Sequence, residues 1–364
     1  MKGGRPKEFS ATRVSPSRVN KLTECGVAFK MYYLDGIPPK VHGSYALFGS
    51  VVHNALEHWA PDRSRDLVSL MRGAWIAETA EKGPVVAEFL TEYAKINVAV
   101  MLAERNAKEV WESDKRNAGK TSKAPRMTAI FKKDPACLAL NRLLAQWMPK
   151  LNAGSPWAFN DRDPLPQFYD DSLVLAKRYA ARWSHLLPPL YTEFEFTVHW
   201  RGFDLNGHID TVELLVNPES GEVTGLLVND YKTYKKQPAE HKDYRQLVMY
   251  DVAVREMIRD GRLVVPGEMK DLPIYVGIDY VRYAGVEGEW PAPGGNSRSY
   301  WKIGTEDHDR LERELIAYRN TVEGGNFLPA AKGTNPDFCD YGEDCCLRST
   351  SQAGGAASPC QVTQ

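Results

Sequence analysis

The sequence predicts an α/β fold with a central mixed sheet flanked by helices and a long helical insertion ahead of its main strands. Three observations support this prediction. Apolar residues recur at three- and four-residue spacing over most of residues 15–187, which is the periodicity of amphipathic helices. From residue 191 they alternate instead, as in half-buried strands. Helical spacing then returns on both sides of a further alternating segment.

The first predicted elements are two helices in residues 1–60. The segment from Ser15 to about Asp35 offers Ser15 as N-cap and Pro16 at the first helical position, where these residue types are favoured. A second helix is predicted from about Gly49 to Trp59. We expect these helices to belong to the same domain as the sheet.

The helical insertion is predicted over residues 61–187, with a polar loop at 115–125. The sheet-containing core is predicted over 188–325, and a Cys-rich tail over 326–364. In the core, the turn NPESG joins the second and third of three successive strands, which favours antiparallel pairing. The core elements are predicted as strands at 191–200, 203–216 and 222–233, a helix at 239–260, a strand at 272–283 and a helix at 305–323.

Composition limits the class of protein. Hydrophobic residues make up 43% of the 364 residues and charged residues 26%, which excludes a disordered or fibrous chain. The 46 basic and 47 acidic residues nearly cancel, so any nucleic-acid-binding surface must be local. There is no apolar run of about 18 residues and no apolar signal-peptide core. We therefore expect a soluble, cytoplasmic protein with no membrane partner.

The strongest candidate for chemistry lies between residues 207 and 232. Asp210 occurs in GHID, and Asp230 and Lys232 occur in NDYKT at the end of the next predicted strand. Residues two apart on a strand share a face, so Asp230 and Lys232 point the same way. Two acids on adjacent strands can hold Mg²⁺ or Mn²⁺, and a neighbouring lysine can orient water or offset phosphate charge. The alternative is an ordinary ion pair at a strand end.

Other polar residues accompany these three. Glu193 and Glu195 precede Asp210 on the previous predicted strand, and His53 lies in GSVVHNALE. Gln246 and Tyr250 are four residues apart in a predicted helix and so share one face. Taken singly, His53 is also typical of a structural histidine, and the Gln–Tyr pair of a helix surface.

The ordered set G-x3-H, E, G-x-I-D, D-x-K and Q-x3-Y resembles the PD-(D/E)XK nuclease superfamily, in its RecB-like exonuclease branch. The resemblance implies a restriction-endonuclease-like core and a Mg²⁺ or Mn²⁺ ion. It implies that Lys232 is the catalytic lysine, and that Glu193, which fits the motif better than Glu195, is an acidic contributor to the metal site. The implied metal ligands are His53, Asp210, Asp230 and the backbone carbonyl of Tyr231, and Gln246 and Tyr250 form the helix motif of this branch.

The six cysteines suggest a second cofactor. Four of them lie in the last 26 residues, which in a reducing compartment favours metal or cluster binding over disulfides. The opening S-P-S-R-x3-L-x2-C-x3-F is similar to the family motif whose cysteine shares a 4Fe–4S cluster with three C-terminal cysteines. The implied ligands are Cys25, Cys339, Cys345 or Cys346, and Cys360. Gly26 replaces the usual proline and the tail spacing is irregular, so zinc, a disulfide or free thiols are alternatives. Cys137 is expected to be a core residue.

Basic residues are concentrated in two places. Residues 115–133 contain seven basic residues and no acid, and Lys232 is followed by Lys235, Lys236, Lys242 and Arg245. Such clusters bind phosphates without sequence preference, although 115–133 is equally typical of a solvated loop. Beside a phosphodiester-cutting site, they favour a path for single-stranded DNA or for a free DNA end.

The sequence therefore predicts a metal-dependent DNA exonuclease acting in recombination, repair or phage DNA metabolism. The resemblance also implies a helicase or recombinase partner. The alternatives are a non-catalytic DNA-binding or assembly subunit that keeps the nuclease fold, and a structure-specific endonuclease.

Overall fold

The structure is a computed structural model, and it describes residues 9–39, 42–113, 134–159, 164–217, 219–234, 243–266, 271–287, 296–329 and Tyr341. The predicted loop at 115–125, the basic run 115–133 and Cys339, Cys345, Cys346 and Cys360 lie outside these residues.

The described strands form one six-stranded mixed sheet and one small two-stranded sheet. The strands are β1 (Arg13–Val14), β2 (His42–Gly43), β3 (Trp157–Ala158), β4 (Tyr191–Trp200), β5 (Phe203–Val216), β6 (Val223–Lys232), β7 (Ile274–Tyr280) and β8 (Arg298–Trp301). The order in the larger sheet is β1-β5-β6-β7-β8, with β4 also paired to β5. The predicted antiparallel pairing of β4, β5 and β6 is confirmed, and β6 pairs with β7 in parallel.

Nine α-helices lie in the described residues. They are α1 (Pro16–Glu24), α2 (Gly26–Phe29), α3 (Ser44–Trp59), α4 (Leu67–Ala80), α5 (Pro84–Ser113), α6 (Pro135–Gly154), α7 (Leu165–Trp183), α8 (Tyr244–Arg259) and α9 (Thr305–Glu323). The mixed sheet with helices around it confirms the predicted α/β class. None of the helices within the described part of the chain is long and apolar enough to cross a membrane.

Local sequence explains where the chain turns. The side chain of Ser15 caps α1 by accepting from the amide of Arg18, as predicted. Between β4 and β5, Arg201 and Gly202 have φ of 46° and 82°, and Trp200 pairs with Phe203. A two-residue loop with two positive φ angles matches the twist of the strands it joins, and glycine meets this requirement without strain.

The single helix predicted from Ser15 to Asp35 is wrong in detail. Cys25 is extended, with φ −161° and ψ 108°, so α1 ends there and α2 begins at Gly26, before a π-helical turn at Lys30–Leu34. A Cβ on Gly26 would lie 2.8 Å from the backbone N and O of Leu328. The break therefore lets the N-terminal helices pack directly against the chain that follows α9.

Two hydrophobic cores hold the elements together. One packs α8, α9 and the N-terminal segment against the sheet. The second lies among α3 to α7 and also contains Tyr231 of β6 and Val281 after β7. Cys137 is 6% exposed, so the predicted core position is confirmed. Because the second core includes Tyr231, the helices before β4 pack directly against the end of β6.

Candidate active site

The end of β6 places a carboxylate and an ammonium group side by side. Lys232 Nζ lies 2.6 Å from Asp230 Oδ2, and the Asp230 side chain is only 2% exposed. Such a buried pair is stable only if its remaining polar atoms find partners. Residues two apart on a strand share a face, and the face shared by Asp230 and Lys232 is the one that packs against α8.

Helix α8 supplies those partners through Gln246 and Tyr250. Gln246 Nε2 donates to Asp230 Oδ1 at 2.7 Å, and its Oε1 accepts from Lys232 Nζ at 3.1 Å. The Tyr250 hydroxyl donates to Asp230 Oδ1 at 3.3 Å. One amide thus contacts both members of the ion pair and fixes their orientation.

A second group forms between α3, β4 and β5. His53, Glu193 and Asp210 each offer one ligand atom, and these atoms lie within 4.8 Å of one another. His53 Nδ1 is 3.3 Å from Asp210 Oδ1. Glu195, by contrast, is exposed and pairs across the ladder with His208, so it is not part of this group.

Glu193 has an unusual backbone conformation. Its φ is 45°, in the left-handed region that non-glycine residues rarely adopt. It lies opposite Asp210, at the one position where the β4–β5 ladder skips a residue pair. Strain of this kind is retained where the surrounding structure enforces it, and it concentrates at functional sites. Here it accompanies the approach of two carboxylates.

Tyr231 connects the two groups through its backbone. Its amide donates to Asp210 Oδ2 at 2.5 Å, and its carbonyl accepts from His53 Nε2 at 2.9 Å. The carbonyl predicted as a metal ligand therefore lies beside two other predicted ligands. Its phenol ring points into the helical core, with its centroid 6.4 Å from that of Tyr179.

The electrostatics of the site reflect an excess of carboxylates. Burial and then the charge of Asp210 raise the pKa of Glu193 to about 7. Burial also raises the pKa of Asp230 to about 6, against the opposing effect of Lys232. Burial disfavours protonated His53, but Asp210 outweighs it and raises the pKa of His53 to about 9. The crowded acids therefore share protons that a cation would displace.

The donor set fits a hard divalent cation. Two carboxylates, a backbone carbonyl and an imidazole lie together at the end of β6, and oxygen-rich sets with one imidazole suit Mg²⁺ or Mn²⁺. Asp230, which the resemblance also makes a ligand, lies in the adjoining ion pair and is bridged to the group by Tyr231.

Asp243 and Tyr234 belong to this site, although the sequence reasoning did not select them. Lys232 Nζ is 3.9 Å from Asp243 Oδ1, and the Tyr234 hydroxyl donates to both carboxylate oxygens of Asp243 at 3.0 Å. Asp243 is 5% exposed. The sequence feature that could have identified Asp243 is its position three residues before Gln246. This position puts it at the start of α8, close to Lys232.

The remaining predicted site residues are only partly described. Cys25 is free and partly exposed, and its Sγ accepts from the amide of Ala28 at 3.5 Å. Arg245 forms an ion pair with Glu314 at 2.5 Å, which links α8 to α9. Lys235, Lys236 and Lys242 lie outside the described residues.

Comparison with known proteins agrees with this geometry. The family model of the PD-(D/E)XK nuclease superfamily matches residues 13–130 and 129–346, which is more than half of the chain. No curated protein matches the chain.

Proposed function

Since the chain belongs to the PD-(D/E)XK nuclease superfamily, we propose that it is a metal-dependent DNA exonuclease acting in recombination, repair or phage DNA metabolism. The observation that supports this most is the meeting of His53, Glu193 and Asp210 beside the Asp230–Lys232 pair. A nuclease site needs acids to hold a cation and a fixed cationic group next to it, and both are present.

In the proposed mechanism, His53, Asp210, Asp230 and the Tyr231 carbonyl hold the cation, with Glu193 contributing charge. When bound, a divalent cation polarises the scissile phosphate and lowers the pKa of water. Lys232 directs its ammonium group to the attacked phosphate and stabilises the charge that grows there. Burial disfavours the ammonium form, but Asp230 and Asp243 outweigh it and raise the pKa of Lys232. Lys232 is therefore cationic and acts by orientation and charge.

Gln246 and Tyr250 keep the lysine in place. Their contacts with Asp230 and Lys232 are made by uncharged groups, so they fix geometry without altering net charge. We propose that they act as positioning residues.

The preferred substrate in this proposal is single-stranded DNA or DNA with a free end, delivered by a helicase or recombinase. The basic run 115–133 and the lysines after Lys232 support it, because clustered basic side chains bind backbone phosphates. The family resemblance of the Q-x3-Y helix supports the exonuclease assignment.

We further propose a 4Fe–4S cluster held by Cys25, Cys339, Cys345 or Cys346, and Cys360. Two contacts support it. The backbone of Leu328 lies against Gly26, next to Cys25, and the buried Tyr341 donates to the carbonyl of Ile37 at 3.0 Å. Both bring the C-terminal part of the chain to the N-terminal helices. Anaerobically purified protein should contain iron and sulfide and show thiolate-to-iron absorption, and zinc or no metal would contradict this.

The deciding experiment is a nuclease assay with end-labelled single-stranded, double-stranded and circular single-stranded DNA. With Mg²⁺ or Mn²⁺, we expect linear DNA to be degraded from its ends and circular DNA to survive. Lys232→Ala should abolish degradation while its circular dichroism matches wild type. Cutting of circles would indicate an endonuclease, and DNA binding without cleavage would indicate a non-catalytic subunit.

A further inference from the structure

Helix α3 carries a stripe of residues that begins outside the metal site and runs into it. Tyr45, Gly49, His53 and Glu57 are spaced by four residues and therefore lie on one face of the helix. His53 belongs to the acidic group, and Glu57 adds to the negative charge felt by Glu193. At the opposite end, Tyr45 is 44% exposed.

Between Tyr45 and His53, helix α3 carries a residue without a side chain. Gly49 lies between them, and a Cβ there would meet only the Thr233 hydroxyl, at 3.6 Å. Thr233 directly follows Lys232 at the end of β6. The end of β6 therefore lies beside α3 at Gly49, midway along the helix between the metal site and the tyrosine.

The Tyr45 ring is held at its edge. It packs against the buried Phe168 in an edge-to-face arrangement, with centroids 5.2 Å apart and planes at 83°. Edge-to-face contacts are among the preferred geometries of aromatic pairs. This contact restricts the ring, and 44% of the residue remains exposed.

Charged side chains of both signs flank this stripe of α3. Arg282 lies over the Phe48 ring at 3.9 Å, and its Nε donates to the Thr233 carbonyl at 2.7 Å. Asp171 also lies 4.0 Å from the guanidinium. An arginine therefore lies beside the stripe at Phe48 and Thr233, and carboxylates that would bind a cation lie at its His53 end.

We propose that Tyr45 stacks on a base of an unpaired DNA strand whose phosphate is held at the metal site, so that Tyr45 selects single-stranded substrate. This rests on the proposed nuclease function. Tyr45 and His53 are eight positions apart in the helix, which corresponds to a rise of about 12 Å. Stacked nucleotides are about 3.4 Å apart, so the stacked base lies about three to four nucleotides from the scissile phosphate. Bases within a duplex are stacked on each other and cannot offer a face to the ring.

The test compares binding of two oligonucleotides to protein that carries Lys232→Ala, with Mg²⁺ present, so that the metal site can be occupied and nothing is cut. One is oligothymidine, and the other is an abasic oligomer of the same length with every phosphate but no bases. Base stacking on an aromatic side chain contributes about 1–3 kcal/mol, which corresponds to about 5- to 150-fold in affinity. Tyr45→Ala should weaken oligothymidine binding by this factor and leave abasic binding unchanged, and Tyr45→Phe should behave as wild type.

The matched control is Tyr300→Ala. Tyr300 is also exposed, at 51%, but it lies on the edge strand β8 against Tyr275, and its removal should change neither affinity. The proposal is overturned if Tyr45→Ala binds oligothymidine as wild type does, or loses affinity equally for both oligomers while remaining folded by circular dichroism. If wild-type protein cuts no DNA with Mg²⁺ or Mn²⁺, the proposed function fails. The difference between oligothymidine binding and abasic binding can still be measured in that case, so the two failures are distinguishable.

Discussion

The two sides of the β6 strand carry two buried charge clusters that differ in how their charges are balanced. The metal-site cluster contains Glu193, Asp210 and Asp230 with His53 and Lys232. The structural cluster lies toward α7 and consists of Glu213 of β5, Asp279 of β7, Arg298 of β8, Arg63 and Tyr179. Both contain buried, hydrogen-bonded carboxylates.

In the structural cluster every acid has a nearby guanidinium. Arg298 donates to Glu213 Oε2 at 2.7 Å and to Asp279 Oδ2 at 2.8 Å, and Arg63 lies 3.8 Å from Glu213. Although burial acts in the opposite direction, Arg298 lowers the pKa of Glu213. In the metal-site cluster, three acids crowd around one lysine and one histidine, and burial raises the pKa of Glu193 to about 7. A carboxylate with raised pKa marks missing positive charge, and such groups concentrate at functional sites.

The largest expected effect is on catalysis when the metal-site cluster loses Asp210. Asp210→Asn keeps an oxygen acceptor for the Tyr231 amide but removes a charge that would hold the cation. Loss of residues that merely support metal ligands costs about 10- to 100-fold, so we expect a fall of more than about a hundredfold in the nuclease rate.

The matched control is Glu213→Gln, three residues along the same strand. It should retain the nuclease rate per folded molecule but lower the urea midpoint. Equal nuclease rates in Asp210→Asn and wild type would show that this carboxylate does not hold the catalytic metal.

Removing Arg298 should instead affect stability. Arg298→Ala leaves Glu213 and Asp279 buried without their main partner, and breaking a buried pair costs about 3–5 kcal/mol of the free energy of unfolding. Urea denaturation monitored by tryptophan fluorescence measures this loss. Arg201 contacts two carboxylates as well, Asp309 and Glu312, but in an exposed position. Arg201→Ala should therefore cost much less, and equal losses would contradict the distinction between buried and exposed pairs.

A smaller effect is expected in the pH dependence of stability. In metal-free protein, Glu193 and Asp230 bind protons more tightly when folded, with pKa values of about 7 and about 6. His53 also binds its proton more tightly when folded, with a pKa of about 9. The folded state thus holds more protons than the unfolded chain, so these groups make stability fall as pH rises from about 4 to about 9.

Saturating Mn²⁺ should reverse this slope, because the metal replaces the protons and binds more tightly as they leave. Thermal unfolding at several pH values, with metal and with a chelator, measures both slopes. Glu193→Gln should flatten the metal-free slope between about pH 4 and 7. Identical pH profiles with and without Mn²⁺ would contradict metal binding at these groups.

The central sheet could be predicted because its signal is local. The alternation in 191–216 and 223–232 and the NPESG turn determine strand type and antiparallel pairing. By contrast, the π-helical turn after α2 and the break at Cys25 were not predicted. The break lies next to the approach of Leu328 to Gly26, a contact between residues about 300 positions apart.

The same distinction applies to the site. The order of Asp210, Asp230, Lys232, Gln246 and Tyr250 pointed to residues that the structure brings together, because strand and helix periodicity decide which side chains share a face. The spacing could not reveal the positive φ of Glu193. Nor could it reveal that Arg298, on an edge strand 85 residues away, is the partner of Glu213.

The smallest expected effect concerns Asp243, which contacts Lys232 but offers no ligand to the His53–Glu193–Asp210 group. Asp243→Asn keeps an acceptor for the Tyr234 hydroxyl and removes one of the two carboxylates that hold the ammonium group. Since Asp230 and Gln246 remain at 2.6 and 3.1 Å from Nζ, we expect roughly a tenfold lower kcat, at the low end for supporting residues, with unchanged KM. Tyr234→Phe, which leaves the Asp243 charge in place, should have a weaker effect. If Asp243→Asn lowers kcat as much as Lys232→Ala does, then Asp243 belongs to the metal-binding group, and the metal-site cluster is larger than the three acids assigned to it.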